Sequence, residues 1–194
     1  MYYIVKYTGQ FGFIKPWTAV RDSETFSQQF LTPSIVEGME KKLFSELLPD
    51  SMGIQKIKRH RLSYTGLNTQ QERTWSKGRV TKTVDKRKFH LPELSILNRG
   101  VLLEPYLYLA FATLEDAETA FAQHICLCRN EDVLLPEELL TFSEEEFDEV
   151  PGFELHFRPS GEGFKVGQNR FAEAESMFGE MRIYGNPIRQ LKQY

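Results

Sequence analysis

Thr32, Pro33 and Ser34, with Gly38 four residues further on, bring two hydroxyls, a proline and a glycine to a segment whose spacing predicts the start of a helix. The first N–H groups of a helix have no acceptor within it, and the aligned peptide dipoles favour an anion at that end. Thr32 and Ser34 add hydroxyl donors, and Lys15 and Arg21 on the preceding segment could complete a seat for a phosphate. A glycine inside a helix costs about 1 kcal/mol relative to alanine. Gly38 therefore suits a place where the sheet or another backbone comes close. Helix–sheet packing with no ligand accounts for the same residues, and the two readings stay open at this level.

A second constellation is a basic stretch with planar groups set into it: Arg73, Trp75, Lys77, Arg79 and Lys82, with Arg59 and Arg61 before them. Between Ile54 and His90 there are eleven Lys/Arg and two acids, a charge of +9. The remainder holds thirteen bases and twenty-five acids, so it carries −12 although the whole chain is only −3. Such asymmetry suggests a polyanion-binding face on an acidic body. Lys and Arg neutralise phosphates, while indole and guanidinium planes stack on unpaired bases. A solvated basic hairpin is the plainer explanation.

Three further clusters carry weaker signals. His124, Cys126 and Cys128 would share one side of a strand, but no second Cys/His group stands at metal-ligand spacing, which favours burial. The acids from Glu131 to Glu149 lack the spaced ligands and fixed turn of a calcium loop and read as a solvated connection. Gly161, Gly163 and Gly167 with Lys165 and Arg170 match no phosphate-loop pattern, and so make only a secondary RNA contact. His60 and His156 read as structural. Neither a metal nor a cofactor is called for.

These residues must be carried by a mixed fold. Residues 2–9 alternate as a strand, followed by a long aperiodic connection through about residue 30. The helix is capped by Thr32 or Ser34, with Ser34 and Glu37 as a capping box and Pro33 in its first turn. Ile35, Val36, Met39, Leu43, Phe44, Leu47 and Leu48 form its apolar stripe, and Pro49 ends it. A strand over 53–66 leads into a two-stranded basic arm over 64–92, turning near Ser76–Gly78. A central strand over 101–113, a helix over 114–125 facing inward with Leu114, Ala117, Phe121 and Ile125, a further strand beginning at "CLCR", another apolar segment in "DVLLPEELLTF" and strands at 153–158 and 180–185 complete the order. Strand–helix–strand repeated twice predicts an α+β, ferredoxin-like (RRM-like) β-α-β-β-α-β domain over 1–130 with a protruding basic hairpin. Residues 131–194 would form an acidic connection and a β-rich C-terminal extension of the same domain.

The chain's 194 residues, 41% hydrophobic and 26% charged, are enough for a sizeable core and exclude wholesale disorder. No apolar run approaches the roughly 18 residues of a membrane span. Two cysteines a residue apart cannot staple a fold, which fits a reducing cytoplasm.

The first strand, the loop "FGFIKPWTAVRD" and the run "TPSIVEGMEKKLF" together resemble the start of the CRISPR-associated Cas-five family, of the RAMP superfamily. In that family a Thr-Pro-Ser stretch leads into the first helix with a glycine a few positions on, matched here by Thr32, Pro33, Ser34 and Gly38. The strand and basic hairpin that follow are similar to its thumb, and "ILNRGVLLEPYLYLAF" is similar to its third strand, so the resemblance spans roughly residues 1–113. It implies a non-catalytic RNA-binding subunit of a Cascade-type complex that holds the crRNA 5′ handle. Such a subunit contacts a backbone subunit and a large subunit, and its partners can include target DNA. One subtype of the family cuts precursor crRNA without metal, using a tyrosine, a lysine and a histidine. The corresponding candidates are Tyr64, Lys88 and His90, an imidazole protonating the 5′-oxygen while tyrosine or lysine assists the 2′-hydroxyl. A protein-only scaffold that grips an acidic partner with the arm is the third reading.

Overall fold

In a computed structural model of the chain, the residues described are 1–16, 24–48, 53–84, 87–159 and 161–190, and from 74 to 95 the backbone alone is described. In chain order the elements are β1 (Tyr2–Thr8), β2 (Phe11–Gly12), β3 (Glu24–Phe26), α1 (Pro33–Leu43), β4 (Ile57–Ser63), β5 (Gly66–Val84), β6 (Arg87–Leu103), β7 (Tyr106–Phe111), α2 (Leu114–Phe121), β8 (Ile125–Cys126), β9 (Val133–Phe142), α3 (Glu144–Asp148), β10 (Gly152–Arg158), β11 (Phe164–Asn169) and β12 (Glu175–Tyr184). The fold is α+β and rich in sheet. Eight strands form one sheet in the order β11-β12-β10-β4-β7-β1-β9-β8, every neighbouring pair antiparallel. A second sheet runs β2-β6-β3, and β5 pairs along the length of β6 as the hairpin arm.

Alternation along β1 divides the core between the two faces of the large sheet. Val5 and Tyr7 point to the face covered by α1 and α2, where they meet Val36, Met39, Leu43, Leu107, Leu109, Phe111, Ala117 and Ala120. Ile4 points to the other face and packs with Ala110, Phe147 and Val150 under α3. A third cluster of Leu155, Val166 and Met177, with Phe30 against it, holds the C-terminal strands.

Two carboxylates on α1 fix where the helix sits. Glu40 is 1% exposed and accepts from the backbone N–H groups of Gln55 (2.8 Å), Lys56 (2.6 Å) and Ile57 (2.7 Å), so it caps the entry to β4. Glu37, equally buried, accepts from Lys41 (2.9 Å), from the Gly53 N–H (3.1 Å) and from Asn169 (3.2 Å). Glu37 is thereby drawn away from the helix start, and the expected capping box with Ser34 does not form. Thr32 is the N-cap residue, and its backbone carbonyl, not its side chain, takes up the N–H groups of Ile35 and Val36 (3.0 Å each).

Several boundaries differ from the sequence expectation, each for a local reason. The arm does not turn near Ser76–Gly78: register shifts there, between Trp75 and Arg79, and β5 runs on until Val84 pairs with Arg87. A glycine in a strand serves a bulge as readily as a turn. The apolar run expected as one strand over 101–113 is two, because Glu104 is left-handed (φ 44°) and Pro105 cannot continue a ladder. α2 ends at Phe121 and buries Ala117 and Ala120, leaving Leu114 and Phe121 44% and 36% exposed. The aperiodic connection contains β2 and β3, and the glycine-bearing segment contains β11. The acidic stretch is not a loop: β9 pairs with β1 from Tyr2 to Thr8, and Ser143 and Glu146 form a capping box on α3, whose Phe147 is fully buried.

Replacing Glu40 with alanine strands three backbone donors in the interior, and a loss of roughly 2–4 kcal/mol in urea unfolding is the expected result.

Candidate functional site

Gly38 is the point where two distant parts of the chain meet. Asn169, at the end of β11, donates to Glu37, and the next residue, Arg170, lays its guanidinium against the bare Cα of Gly38. A Cβ at position 38 would strike the Nη2 of Arg170. The contact anticipated for Gly38 was the sheet or another backbone; the structure supplies a cationic side chain instead. Phe171 steadies the crossing, its ring lying 4.0 Å from the Lys41 ammonium and 4.7 Å from the Arg170 guanidinium.

This crossing walls one side of a cavity of about 260 Å³ lined by Ser34, Ile35, Gly38, Met39, Lys42, Arg170 and the segment Cys126–Cys128. Its floor is apolar through Ile35, Met39 and Leu127. Its rim holds the Ser34 side chain, the Lys42 stem, whose ammonium donates to the His124 carbonyl at 2.8 Å, and Arg170. Arg170 is exposed and makes no ion pair among the described residues. Lys15 is also exposed, and its backbone reaches the Cys128 thiol, which brings that loop to the same rim. The cavity can take an anion or a polar planar group bearing one. Thr32, 5% exposed, does not line it.

The two arginines expected at the base of the arm are placed elsewhere. Arg59 grips Glu154 with a two-pronged contact, Nε to Oε1 at 3.0 Å and Nη2 to Oε2 at 2.6 Å, and donates to Asp148 at 2.8 Å. Arg61 has no exposed surface: its guanidinium lies 3.4 Å from the Tyr184 ring centroid and 4.9 Å from that of Phe147, and its Nη2 donates to the Phe147 carbonyl at 3.2 Å. Burial would raise the Glu154 carboxyl, but the Arg59 hydrogen bond and the Arg61 charge outweigh it and hold it below the usual carboxylate range. His60 stacks on Phe157 at 5.5 Å, and burial pushes its imidazole down to about 4, so it is neutral in the fold. Both arginines serve the joint between β4 and β10, where the two strands share a single register pair, Leu62 with Phe153.

Of the remaining candidates, Arg73 is exposed on β5. Arg21 and the side chains of Trp75, Lys77, Arg79, Lys82, Lys88 and His90 lie outside the described residues. Tyr64 is 1% exposed and stacks on Phe153 at 6.0 Å, and burial raises its hydroxyl above the ordinary value. Among the described residues no group of three His, Cys, Asp or Glu side chains is placed to hold a metal ion, and no helix is long and apolar enough to cross a membrane. A larger groove of about 1270 Å³ beside β9 is lined by Glu104, Glu131 and Glu137 with Arg189, a poor seat for a polyanion. Arg170 was legible only as one of two cations in a glycine-bearing segment; nothing local ties it to Gly38, 132 positions earlier.

No protein-family model matches the chain, and no curated protein does. Among solved structures, a chain described as "CRISPR RNA-guided surveillance complex" superimposes with a TM-score of 0.52 and 9% identity, over 96% of this chain and 91% of that one. The two share a fold.

Gly38→Ala tests what the glycine is for. Alanine suits a helix better by up to about 1 kcal/mol, and the obstructing atom is the far end of a flexible side chain. Thermal unfolding is expected at or above the wild-type midpoint while Arg170 is displaced from the cavity; a clear drop in stability would show instead that the Arg170 contact holds the fold together.

Proposed function

We propose that this chain is a non-catalytic RNA-binding subunit of a CRISPR RNA-guided surveillance complex of the Cascade type. The observation that carries the reading is the rim at α1, where Ser34, Lys42 and Arg170 converge on one cavity and Lys15 stands beside it. A phosphate placed there meets two or three cationic groups and the start of a helix at once. The fold shared with a surveillance-complex chain supports the same reading.

β1, α1, β4, β7, α2 and β9 follow one another as strand, helix, strand, strand, helix, strand, and the four strands lie side by side in the order β4-β7-β1-β9. We read this as a ferredoxin-like core, with β5 and β6 as the thumb and the C-terminal strands as an extension that delivers Arg170. In this account the crRNA 5′ handle occupies the α1 rim and the arm's Lys and Arg residues follow the guide. A backbone subunit and a large subunit are the protein partners, with target DNA as a further one. Tyr64 packs inside the core, which weighs against its assisting a 2′-hydroxyl and favours binding over cleavage.

The test is direct titration of the chain with fluorescently labelled single-stranded RNA at several salt concentrations. Affinity should fall with salt, with a log–log slope of about −0.7 for each neutralised phosphate. Arg170→Ala should weaken binding and flatten the slope by about one phosphate's worth, and repeat-containing RNA should stay intact in EDTA. Salt-insensitive binding, or none, contradicts the reading; cleavage in EDTA abolished by His90→Ala would make the chain a nuclease.

A further inference from the structure

Among the described residues, one aromatic ring on the face beside the base of the arm has an exposure that the core does not require. Phe26, the last residue of β3, is 50% exposed. β3 runs parallel to β6 with Phe26 opposite Gly100, and β5 runs antiparallel on the other side with Thr69 opposite the same glycine. Cross-strand neighbours share a face, so Phe26, Gly100 and Thr69 form one row across the sheet. The ring lies over Gly100: a Cβ there would collide with it. The N–H of Ser27 donates to the Gly100 carbonyl at 2.7 Å, which pins the chain immediately after the ring. Phe26 thus lies over the sheet while half its surface faces solvent.

Its surroundings select the occupant. By strand alternation Leu67, Thr69, Gln71 and Arg73 share this face along β5, and all four are exposed. Arg73 pairs in register with Ile96, four residues from Gly100 and so about 13 Å along the arm. It makes no ion pair among the described residues, whereas on the opposite face Glu72 engages Arg99 at 3.5 Å and Arg99 and Arg129 lie over Phe13. A ring laid on the sheet, with a guanidinium about 13 Å along the same face that makes no ion pair among the described residues, is complementary to a strand of planar groups joined by phosphates.

We propose that Phe26 is a stacking platform for one unpaired nucleobase of bound single-stranded RNA, with Arg73 engaging a phosphate of the same strand further up the arm. This rests on the RNA-binding reading and adds to it a position where a base, not a phosphate, is held. Because stacking is tolerant of base identity, Phe26 contributes affinity and sets the path of the strand between arm and α1 without reading sequence.

The experiment titrates the full chain and its Phe26→Ala, Phe26→Leu and Phe26→Trp variants with labelled oligo(A) RNA and with the same RNA carrying abasic sites. Alanine and leucine should each lose about fivefold or more in affinity for oligo(A), tryptophan should retain it, and the abasic strand should bind all four chains alike. The salt slope should be the same in all, since no phosphate contact is removed. Leucine keeps apolar cover over Gly100, so a leucine variant that binds like wild type reduces Phe26 to packing and overturns the proposal. Unchanged binding by Phe26→Ala while Arg170→Ala is weakened overturns the platform and leaves the RNA-binding reading standing. No RNA binding by the wild-type chain overturns both.

Discussion

The guanidinium of Arg170 rests on α1 only because position 38 has no side chain, and the candidate site depends on that contact. Asn169 ties β11 to the buried carboxylate of Glu37, Phe171 takes the Lys41 charge on its ring, and the backbone between them brings Arg170 across the helix at Gly38. The cost of a glycine in a helix interior is small beside what such preorganisation saves when a ligand binds. A C-terminal sheet that looks peripheral in the chain order thereby supplies a principal cation to a helix near the N-terminus.

Charge in this molecule is divided by depth as well as by sequence. Arg59 and Arg61 belong to the basic window by position, yet they sit on β4, a strand flanked on both sides, and their charges are balanced inside by Glu154 and Asp148. Removing such cations would leave the buried Glu154 carboxylate unpaired, so they serve the joint between β4 and β10 and not the surface. The cations available to a polyanion include Lys15, Lys42 and Arg170 at the α1 rim and Arg73 on the arm, none of which has an acid partner among the described residues. α3 packs on the face of the sheet away from α1 and α2, and on β9 Glu137 and Glu138 neutralise Lys6 at 2.8 Å each.

The order of the elements was readable because it rests on local periodicity. β1 alternates, α1 has a stripe of Val36, Met39 and Leu43 that is buried as its spacing requires, and the long arm shows in its Thr, Val and basic composition. Less legible were features that depend on partners far away in the chain. Glu37 fits a capping box by spacing, but Gly53 and Asn169 outbid Ser34 for it. β9 is legible only as an apolar segment, "DVLLPEELLTF", within a stretch of acids; its pairing with β1 from Tyr2 to Thr8 and the burial of Leu134 are supplied by the fold. Phe26 is not legible in an aperiodic stretch: a three-residue strand has too few positions to show alternation, and only its pairing with Gly100 shows where the ring lies.

Photo-crosslinking of 4-thiouridine RNA to the chain, read by mass spectrometry, addresses the central claim most directly, because it locates the strand without altering the protein. Adducts on peptides containing Ser34–Lys42, Cys126–Cys128 or Arg170 are the result the account predicts. Adducts confined to β9 and α3, or spread evenly over the surface, would contradict it.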